Sequence, residues 1–323
     1  MFKNLNRILL TLPLVLIAGA LVGGEAEAQS TKLVPLDDWV DQGRYIKVNG
    51  NNVFLVTAGK AQTEGHGVLI VHGFPGSSWD WSRVVPQVAE RTRVVVPDMI
   101  GQGRSDKPQT GTFEDHYSLF KQADMYEGVA KQEGLTEVML VIHDMGQSVG
   151  SELMKRQQEG TLPFHIRHAI VFDGSTLINL VNLLPMQSKA LEAPDTLGPD
   201  MPKDVIMKDL NDSFADVHPA TEEILTIMAD QILFNEGDRI FNRQIRYMNE
   251  RKEYLQRWQA GIINFNGPVS MFWGELDPVS VVKMAYAWKD MQPKIELHIW
   301  PDTAHWPMID APDRVAKVIL DRY

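Results

Sequence analysis

Short apolar segments of strand length alternate with helical patterns along most of this 323-residue chain. The apolar segments are nearly continuous, which is typical of strands that are buried on both faces. They occupy residues 52–59, 67–73, 92–98, 137–143, 166–173, 268–273 and 295–300. Helical patterns cover residues 118–132, 145–159 and 312–322. This order predicts an α/β protein with a mostly parallel sheet and helices on both faces.

The strand pattern stops between residues 176 and 264, where helical periodicity appears in residues 222–234 and 239–260. A helical insertion between two strands of such a sheet forms a cap over the carboxyl ends of the strands, where these folds bind ligands. We therefore predict a core formed by residues 29–175 and 265–323, with a helical cap over residues 176–264.

Residues 1–28 have the pattern of a secretory signal peptide. Lys3 and Arg7 precede an apolar run over residues 8–23, and Ala26-Glu27-Ala28 fits the small-x-small cleavage pattern. The apolar run is short for a transmembrane helix. We expect cleavage after Ala28, a periplasmic or secreted protein, and no stable membrane insertion after cleavage.

Charge and cysteine content exclude several classes of function. The chain has 31 basic and 42 acidic residues and a net charge of −11, which is unfavourable for binding nucleic acid. It contains no cysteine, so disulfides, thiolate metal sites and a cysteine nucleophile are excluded. We expect no nucleic-acid partner, and a homodimer is compatible with the sequence.

Asp144 occupies the position expected of a nucleophile. The predicted strand over residues 137–143 ends immediately before it, and a helix begins near Gly146. A side chain on such a sharp turn points into the pocket and faces the positive end of the helix dipole. A carboxylate there can displace a leaving group from an sp³ carbon and form an ester that water then hydrolyses. The alternative is a structural aspartate that caps the helix.

Ser148 is an alternative nucleophile. Residues 146–150 read Gly-Gln-Ser-Val-Gly and match the G-x-S-x-G pattern of serine esterases. That pattern requires a strand that ends directly before the serine. Because the predicted strand ends at His143, we expect Ser148 to lie in the first turns of the helix.

A histidine and an acid follow the later strands. His305 lies on the loop after the last predicted strand and can serve as the general base. Asp277 follows the preceding strand and can hold the imidazole in its working tautomer. Asp173, at the end of an earlier strand, is the alternative acid. The chain order of nucleophile, acid and histidine fits a known triad order.

The loop His72-Gly73-Phe74-Pro75 follows an early strand and is predicted to supply one of the two N–H groups of an oxyanion hole. In this architecture the backbone N–H groups of Phe74 and Met145 face the nucleophile. We expect these two N–H groups to bind the oxygen that becomes negatively charged when water attacks the ester. His72 is predicted to be a hydrogen-bonding scaffold residue.

The motifs together resemble the α/β-hydrolase superfamily across essentially the whole mature chain. The Asp nucleophile is similar to that of the epoxide hydrolase and haloalkane dehalogenase branch. The cap sequence over residues 247–258 resembles that of the mesoderm-specific transcript protein group. The motifs that carry the resemblance are HGFPGSSWDW (72–81), PDMIGQGRSDKP (97–108), HDMG (143–146), GELDPV (274–279) and AHWP (304–307).

This resemblance implies epoxide hydrolysis to a diol, with a small apolar organic substrate and with neither a metal nor an organic cofactor. Epoxide hydrolases use a cap acid, and the resemblance offers Tyr247, or alternatively Tyr254. Haloalkane dehalogenase activity is the second interpretation. In this chain Met145 and Phe74 stand where haloalkane dehalogenases commonly have the side chains that donate hydrogen bonds to the halide. A serine-type esterase through Ser148 is the third interpretation, and a non-catalytic binding protein on the same fold is the fourth.

Overall fold

An eight-stranded sheet forms the centre of the computed structural model, which describes residues 32–323. The strands lie in the order β1-β2-β4-β3-β5-β6-β7-β8. The β1–β2 and β2–β4 pairs are antiparallel, and the other neighbouring pairs are parallel. The strands are β1 Gly43–Val48, β2 Asn51–Ala58, β3 His66–Val71, β4 Val94–Pro97, β5 Glu137–His143, β6 His165–Phe172, β7 Val269–Gly274 and β8 Glu296–Trp300. The predicted mostly parallel sheet is confirmed.

Helices connect the strands and cover both faces of the central ones. Consecutive residues of β3, β5 and β7 are buried, and successive side chains point to opposite faces, so neither face meets solvent there. The helices are α1 Leu36–Val40, α2 Val85–Ala89, α3 Phe113–His116, α4 Leu119–Gln132, α5 Gly146–Glu159, α6 Pro185–Glu192, α7 Lys203–Asn211, α8 Glu222–Leu233, α9 Phe241–Gln244, α10 Tyr247–Ile263, α11 Lys283–Met291, α12 Pro307–Asp310 and α13 Pro312–Arg322.

Helices α6–α10 form the cap, which the chain inserts between β6 and β7. Residues Leu33–Tyr323, core and cap together, form one compact unit. No helix within residues 32–323 has both the length and the apolar character needed to cross a membrane. The predicted signal peptide lies outside the described residues.

Two details of the fold correct the sequence analysis. Strand β1 was not predicted, because most of its residues are at least partly exposed and it has no continuous apolar run. The helical pattern over residues 239–260 does not form one helix. The structure breaks it at Ile245 and Arg246 into the short helix α9 and the long helix α10. The N-terminal turn of α10 consequently begins at Tyr247.

Candidate active site

Asp144 lies on a strained turn between β5 and α5. Its φ is +45°, a backbone conformation that non-glycine residues rarely adopt and that costs energy. The turn is so tight that a Cβ atom at Gly146 would lie 2.5 Å from the Val71 carbonyl oxygen and 2.7 Å from that of His72. Glycine is therefore required there, and α5 begins directly beside the aspartate.

The Asp144 carboxylate is buried and held by the backbone of the β3 loop. Its Oδ2 accepts a hydrogen bond of 2.9 Å from the Phe74 N–H. Burial alone raises the pKa of this carboxyl, but the charges of His305 and Arg251 outweigh burial and bring the pKa below its ordinary value. The side chain is therefore an anion at neutral pH. Phe74 lies where the sequence predicted an oxyanion-hole N–H.

His305 and Asp277 form a hydrogen-bonded pair. The imidazole Nδ1 lies 2.9 Å from Asp277 Oδ2, and both side chains are buried. Asp277 Oδ1 accepts hydrogen bonds from the N–H groups of Val279 and Ser280, at 2.7 and 2.9 Å. Burial lowers the pKa of His305, but the charge and hydrogen bond of Asp277, followed by the charge of Asp144, raise it above its ordinary value. The imidazole can therefore hold and release a proton near neutral pH.

His143 supports the backbone of the histidine loop. Its Nε2 donates a hydrogen bond of 2.7 Å to the His305 carbonyl oxygen. The two imidazole rings lie 5.0 Å apart. Burial, followed by the neighbouring charge of His305, lowers the pKa of His143 to about 4. His143 is thus neutral and fixed as a hydrogen-bond donor, which ties the end of β5 to the loop that carries His305.

Asp173, the alternative acid, forms no hydrogen bond with His305 or His143. It follows β6, and its Oδ1 accepts a hydrogen bond of 2.7 Å from the Gly274 N–H. Burial, and then the neighbouring charge of Asp277, raise the pKa of Asp173 well above its ordinary value. Asp173 is therefore neutral and cannot balance an imidazolium. The structure brings Asp277 to His305.

Ser148 lies inside α5, four residues beyond Asp144. Its Oγ accepts a hydrogen bond of 2.9 Å from Arg251 Nε and lies 3.0 Å from Thr176 Oγ1. The residue at the strand–helix turn is Asp144, as the sequence predicted, so Ser148 does not have the position that the G-x-S-x-G pattern requires.

The two candidate cap tyrosines have different surroundings. Tyr247 is buried, and its ring lies 5.4 Å from the Phe74 ring. Burial raises the pKa of Tyr247, the charge of Arg251 lowers it, and the charge of Asp144 adds to the rise. Tyr254 instead packs against Phe120, with ring centroids 4.8 Å apart. Tyr247 therefore packs on Phe74, the residue whose N–H binds Asp144, whereas Tyr254 belongs to the contact between α10 and α4.

Sequence reasoning missed Arg251. This residue is one turn beyond Tyr247 on α10, and its side chain is fully buried. Its guanidinium lies over the Tyr247 ring, 4.5 Å from the centroid. The spacing of four residues places both side chains on one face of a helix. The sequence did contain a signal for Arg251, because a charged residue lies on the same helix face as Tyr247, the candidate proton donor.

A narrow cavity lies beside His305, between the core and the cap. Its volume is about 10 Å³, enough for about one water molecule. Phe74, Leu184, Met186 and Leu210 are among the apolar residues that line it. A larger surface cavity of about 540 Å³ lies at the β1–β2 turn and α4, and none of the candidate catalytic residues lines it. Within residues 32–323, no cluster of side chains is suited to holding a metal ion.

Comparison with known proteins agrees with this fold. The model of the Alpha/beta hydrolase family matches residues 68–318, and the chain belongs to this family. The putative hydrolase LipZ of Mycobacterium tuberculosis is 31% identical over 287 residues, which cover 88% of this chain and 96% of LipZ. The human mesoderm-specific transcript homolog protein is 27% identical over 289 residues, or 86% of this chain and 84% of that protein. These relatives support a hydrolase.

Solved structures with the same fold include enzymes of different names. A putative aryl esterase from Burkholderia cenocepacia has a TM-score of 0.70 at 19% identity and covers 86% of this chain and 97% of its own. The epoxide hydrolase CorEH has a TM-score of 0.65 at 21% identity, with the same coverage of 86% and 97%. At these identities the likeness shows the fold alone, and the choice of reaction depends on the residues of the site.

Proposed function

We propose that the protein is an exported hydrolase that uses Asp144 as a nucleophile and converts an epoxide to a diol through an ester intermediate. One observation carries the proposal: the residue at the strand–helix turn is an ionised carboxylate with one oxygen already bound by the Phe74 N–H at 2.9 Å. Asp277 and His305 are paired on the neighbouring loops. This arrangement supports displacement at carbon followed by hydrolysis.

In the first step, the free oxygen of Asp144 attacks a ring carbon of the epoxide. The bond from that carbon to the ring oxygen breaks, and the ring oxygen takes the proton of the Tyr247 hydroxyl. The products of this step are an ester on Asp144 and a tyrosinate. The guanidinium of Arg251 over the Tyr247 ring stabilises the anionic ring.

In the second step, neutral His305 takes a proton from water while the water oxygen attacks the ester carbon. The negative charge forms on Oδ2, where the N–H groups of Phe74 and Met145 stabilise it. The ester bond to the substrate then breaks, and the leaving diol oxygen takes the proton from His305. The carboxyl left on Asp144 gives its proton back to the Tyr247 tyrosinate, which restores the carboxylate and the phenol for the next turnover. Esterification removes the Asp144 charge, one of the causes that raise the pKa of His305, so the pKa of the imidazole falls at the step that needs a base.

An epoxide fits this site better than a haloalkane because the cap supplies a proton donor. The Phe74 and Met145 side chains carry no N–H that could bind a halide, whereas the hydroxyl of Tyr247 can donate a proton and feels the charge of Asp144. A serine-type esterase would need Ser148 at the turn, and the structure has Asp144 there. We accordingly rank the dehalogenase second.

Trapping the intermediate tests this mechanism. With a neutral epoxide such as styrene oxide, His305→Gln should accumulate an ester on Asp144, which mass spectrometry detects as the mass of the intact epoxide. In ¹⁸O-water, a single turnover of the unaltered protein should label the Asp144 carboxylate before the diol. Asp144→Asn is the matched control and should form no adduct. Label in the diol on the first turnover would rule out the ester, and bromide release from 1-bromobutane without epoxide turnover would favour a dehalogenase.

Export is tested separately. The signal-peptide pattern of residues 1–28 supports a mature N-terminus at Gln29. Expression of the full chain in a bacterial host and N-terminal sequencing of the periplasmic fraction should give that residue. Full-length protein in the cytoplasm would contradict export and would leave the proposed chemistry unaffected.

A further inference from the structure

The guanidinium of Arg251 is fully buried in the cap and has one unsatisfied edge. Its Nε donates to Ser148 Oγ at 2.9 Å, and its Nη1 lies 3.6 Å from Met248 Sδ, a weak acceptor. Its Nη2 is buried without a hydrogen-bond partner among residues 32–323. A buried cation is unfavourable unless an opposite charge or strong acceptors compensate it, so this edge calls for an acceptor.

Arg257, on the same helix, is an arginine whose charge is compensated by a carboxylate of the protein. Arg257 donates to both oxygens of Glu152, from Nε at 2.7 Å and from Nη2 at 3.0 Å. Within residues 32–323, Arg251 forms no ion pair with a carboxylate. The carboxylate whose charge acts on it is that of Asp144. The charge of Arg251 is thus directed at the reacting centre.

Helix α10 holds Arg251 in a fixed place. Glu250, the preceding residue, accepts a hydrogen bond of 2.7 Å from the Leu119 N–H at the start of α4. Further along α10, a Cβ on Gly261 would lie 2.2 Å from the Ser151 carbonyl oxygen of α5, which shows how closely these two helices pack. Arg251 therefore cannot swing out to solvent without dismantling these contacts.

The cap segment that covers the site is a different part of the chain. The turn Ile178–Leu180 contacts α10, and the segment after it carries Leu184 and Met186 into the cavity beside His305. Because the cavity holds about one water molecule, binding of a substrate requires this contact between core and cap to open.

We propose that Arg251 is an anion-binding residue of the active site and that its Nη2 edge receives an anionic oxygen of the substrate. The inference rests on the proposed function. When Asp144 becomes an ester, its carboxylate charge is lost and the tyrosinate ring lies under the guanidinium, so the Nη2 edge still lacks a hydrogen-bond acceptor within the described part of the chain. Two sources can supply the anionic oxygen: a carboxylate carried by the epoxide, or the ring oxygen as it leaves carbon. Either source compensates the buried guanidinium.

A matched pair of substrates distinguishes these sources. Glycidate and glycidamide carry the same epoxide, and only glycidate carries a carboxylate. If Arg251 binds a carboxylate, Arg251→Gln lowers kcat/KM for glycidate by roughly 10- to 100-fold, mainly through KM, and leaves glycidamide nearly unchanged. If it binds the ring oxygen, kcat falls by a similar factor for both, and the fall persists in a Tyr247→Phe background, where no tyrosinate can form. Arg251→Lys should recover part of the loss, because it keeps the charge. Lys252→Gln, an exposed charge removal on the same helix, is the control and should leave both substrates unaffected.

The pH profile separates anion binding from an indirect effect through the nucleophile. Loss of Arg251 also raises the pKa of Asp144, and that effect disappears at a pH high enough to ionise the carboxyl. A loss that persists from about pH 6 to about pH 9 supports anion binding. A loss that vanishes at the upper end, or Arg251→Gln with unchanged kinetics for both substrates, overturns the proposal.

A binding measurement separates this inference from the epoxide mechanism. Calorimetry with propionate and propionamide needs no turnover. If neither epoxide is turned over, the proposed function fails, and propionate binding that is lost in Arg251→Gln and kept in Lys252→Gln still supports an anion site. If neither epoxide is turned over and Arg251→Gln binds propionate like the unaltered protein, the anion site is overturned as well.

Discussion

Asp144 and Asp173 occupy corresponding positions at the ends of neighbouring strands and have opposite electrostatic properties. Both follow a parallel strand directly, both are buried, and both have a positive φ, +45° and +43°. Yet the pKa of Asp144 lies below its ordinary value and that of Asp173 far above it. Burial raises both, so the neighbouring charges decide the outcome. His305 and Arg251 face Asp144, whereas Asp277 faces Asp173.

The comparison teaches that position on the sheet does not define a catalytic carboxylate. The elements around the end of β5 provide the charges of His305 and Arg251 and the N–H of Phe74, which make Asp144 an available nucleophile. The end of β6 provides another carboxylate, which makes its acid a neutral hydrogen-bonding group. The following changes test that contrast.

The largest effect should come from the same substitution at both positions. Asp144→Asn should lower kcat/KM for epoxide hydrolysis by roughly 10⁴-fold, because it removes the nucleophile. Asp173→Asn should lower it by no more than about threefold, because an amide resembles the neutral carboxyl that it replaces. Steady-state kinetics of the two variants measure the contrast. Similar losses in both would show that Asp173 takes part in catalysis as an anion.

The charge on His305 should depend on the acid that faces it. Hydrolysis of the ester needs neutral imidazole, so its rate should rise with pH through a midpoint that reports the pKa of His305 in the ester form. Asp277→Asn should lower that midpoint and slow the reaction by roughly 10³- to 10⁴-fold. Single-turnover rates across pH measure both. An unchanged midpoint would mean that Asp277 does not set the pKa of His305.

The two cap tyrosines allow a similar comparison, between the proposed proton donor Tyr247 and the packing residue Tyr254. Tyr247→Phe should slow ester formation by roughly 10²-fold or more, because the ring oxygen then leaves without a proton donor. Tyr254→Phe makes the same chemical change in the contact with α4 and should leave the rate within about twofold of the unaltered protein. Rapid-quench measurement of the ester compares them. Equal losses would argue against Tyr247 as the proton donor.

The smallest effect should appear in stability. The folded-state pKa of Asp173 is raised, so its contribution is fully present below the unfolded pKa of about 3.9 and is lost progressively as the pH rises above it. Asp173→Asn does not titrate and can donate to Asp277. The variant should therefore gain about 1 kcal/mol or more in free energy of unfolding, relative to the unaltered protein, between about pH 4 and about pH 8. Urea unfolding measures it, and a pH-independent difference would contradict a neutral Asp173.

The sequence was sufficient to predict those parts of the fold and site that depend on local pattern. The bounds of β5 were predicted to the residue, because a continuous apolar run ends at His143 before the turn. Pairing of Asp277 with His305 was also predicted, although the choice over Asp173 needed the structure. Which acid meets an imidazole depends on how neighbouring loops pack, and no local pattern records that.

The cap was predicted less completely. The break before Tyr247 has no proline or glycine to mark it. Arg251 was missed because charged residues on a cap helix are ordinarily solvated, and only packing against α5 buries this one. Resemblance alone favoured Tyr247 over Tyr254, and the structure showed that their neighbours differ.

Gly146 has a consequence for how such proteins diversify. The backbone at the turn is set by the close approach of this glycine to the carbonyl oxygens of Val71 and His72, and the side chain of residue 144 has little part in that contact. Evolution can therefore exchange the nucleophile, and with it the bond that the enzyme cleaves, while the supporting backbone is inherited unchanged. The glycine itself has no such freedom, since any larger residue would dislodge whatever nucleophile the lineage had adopted.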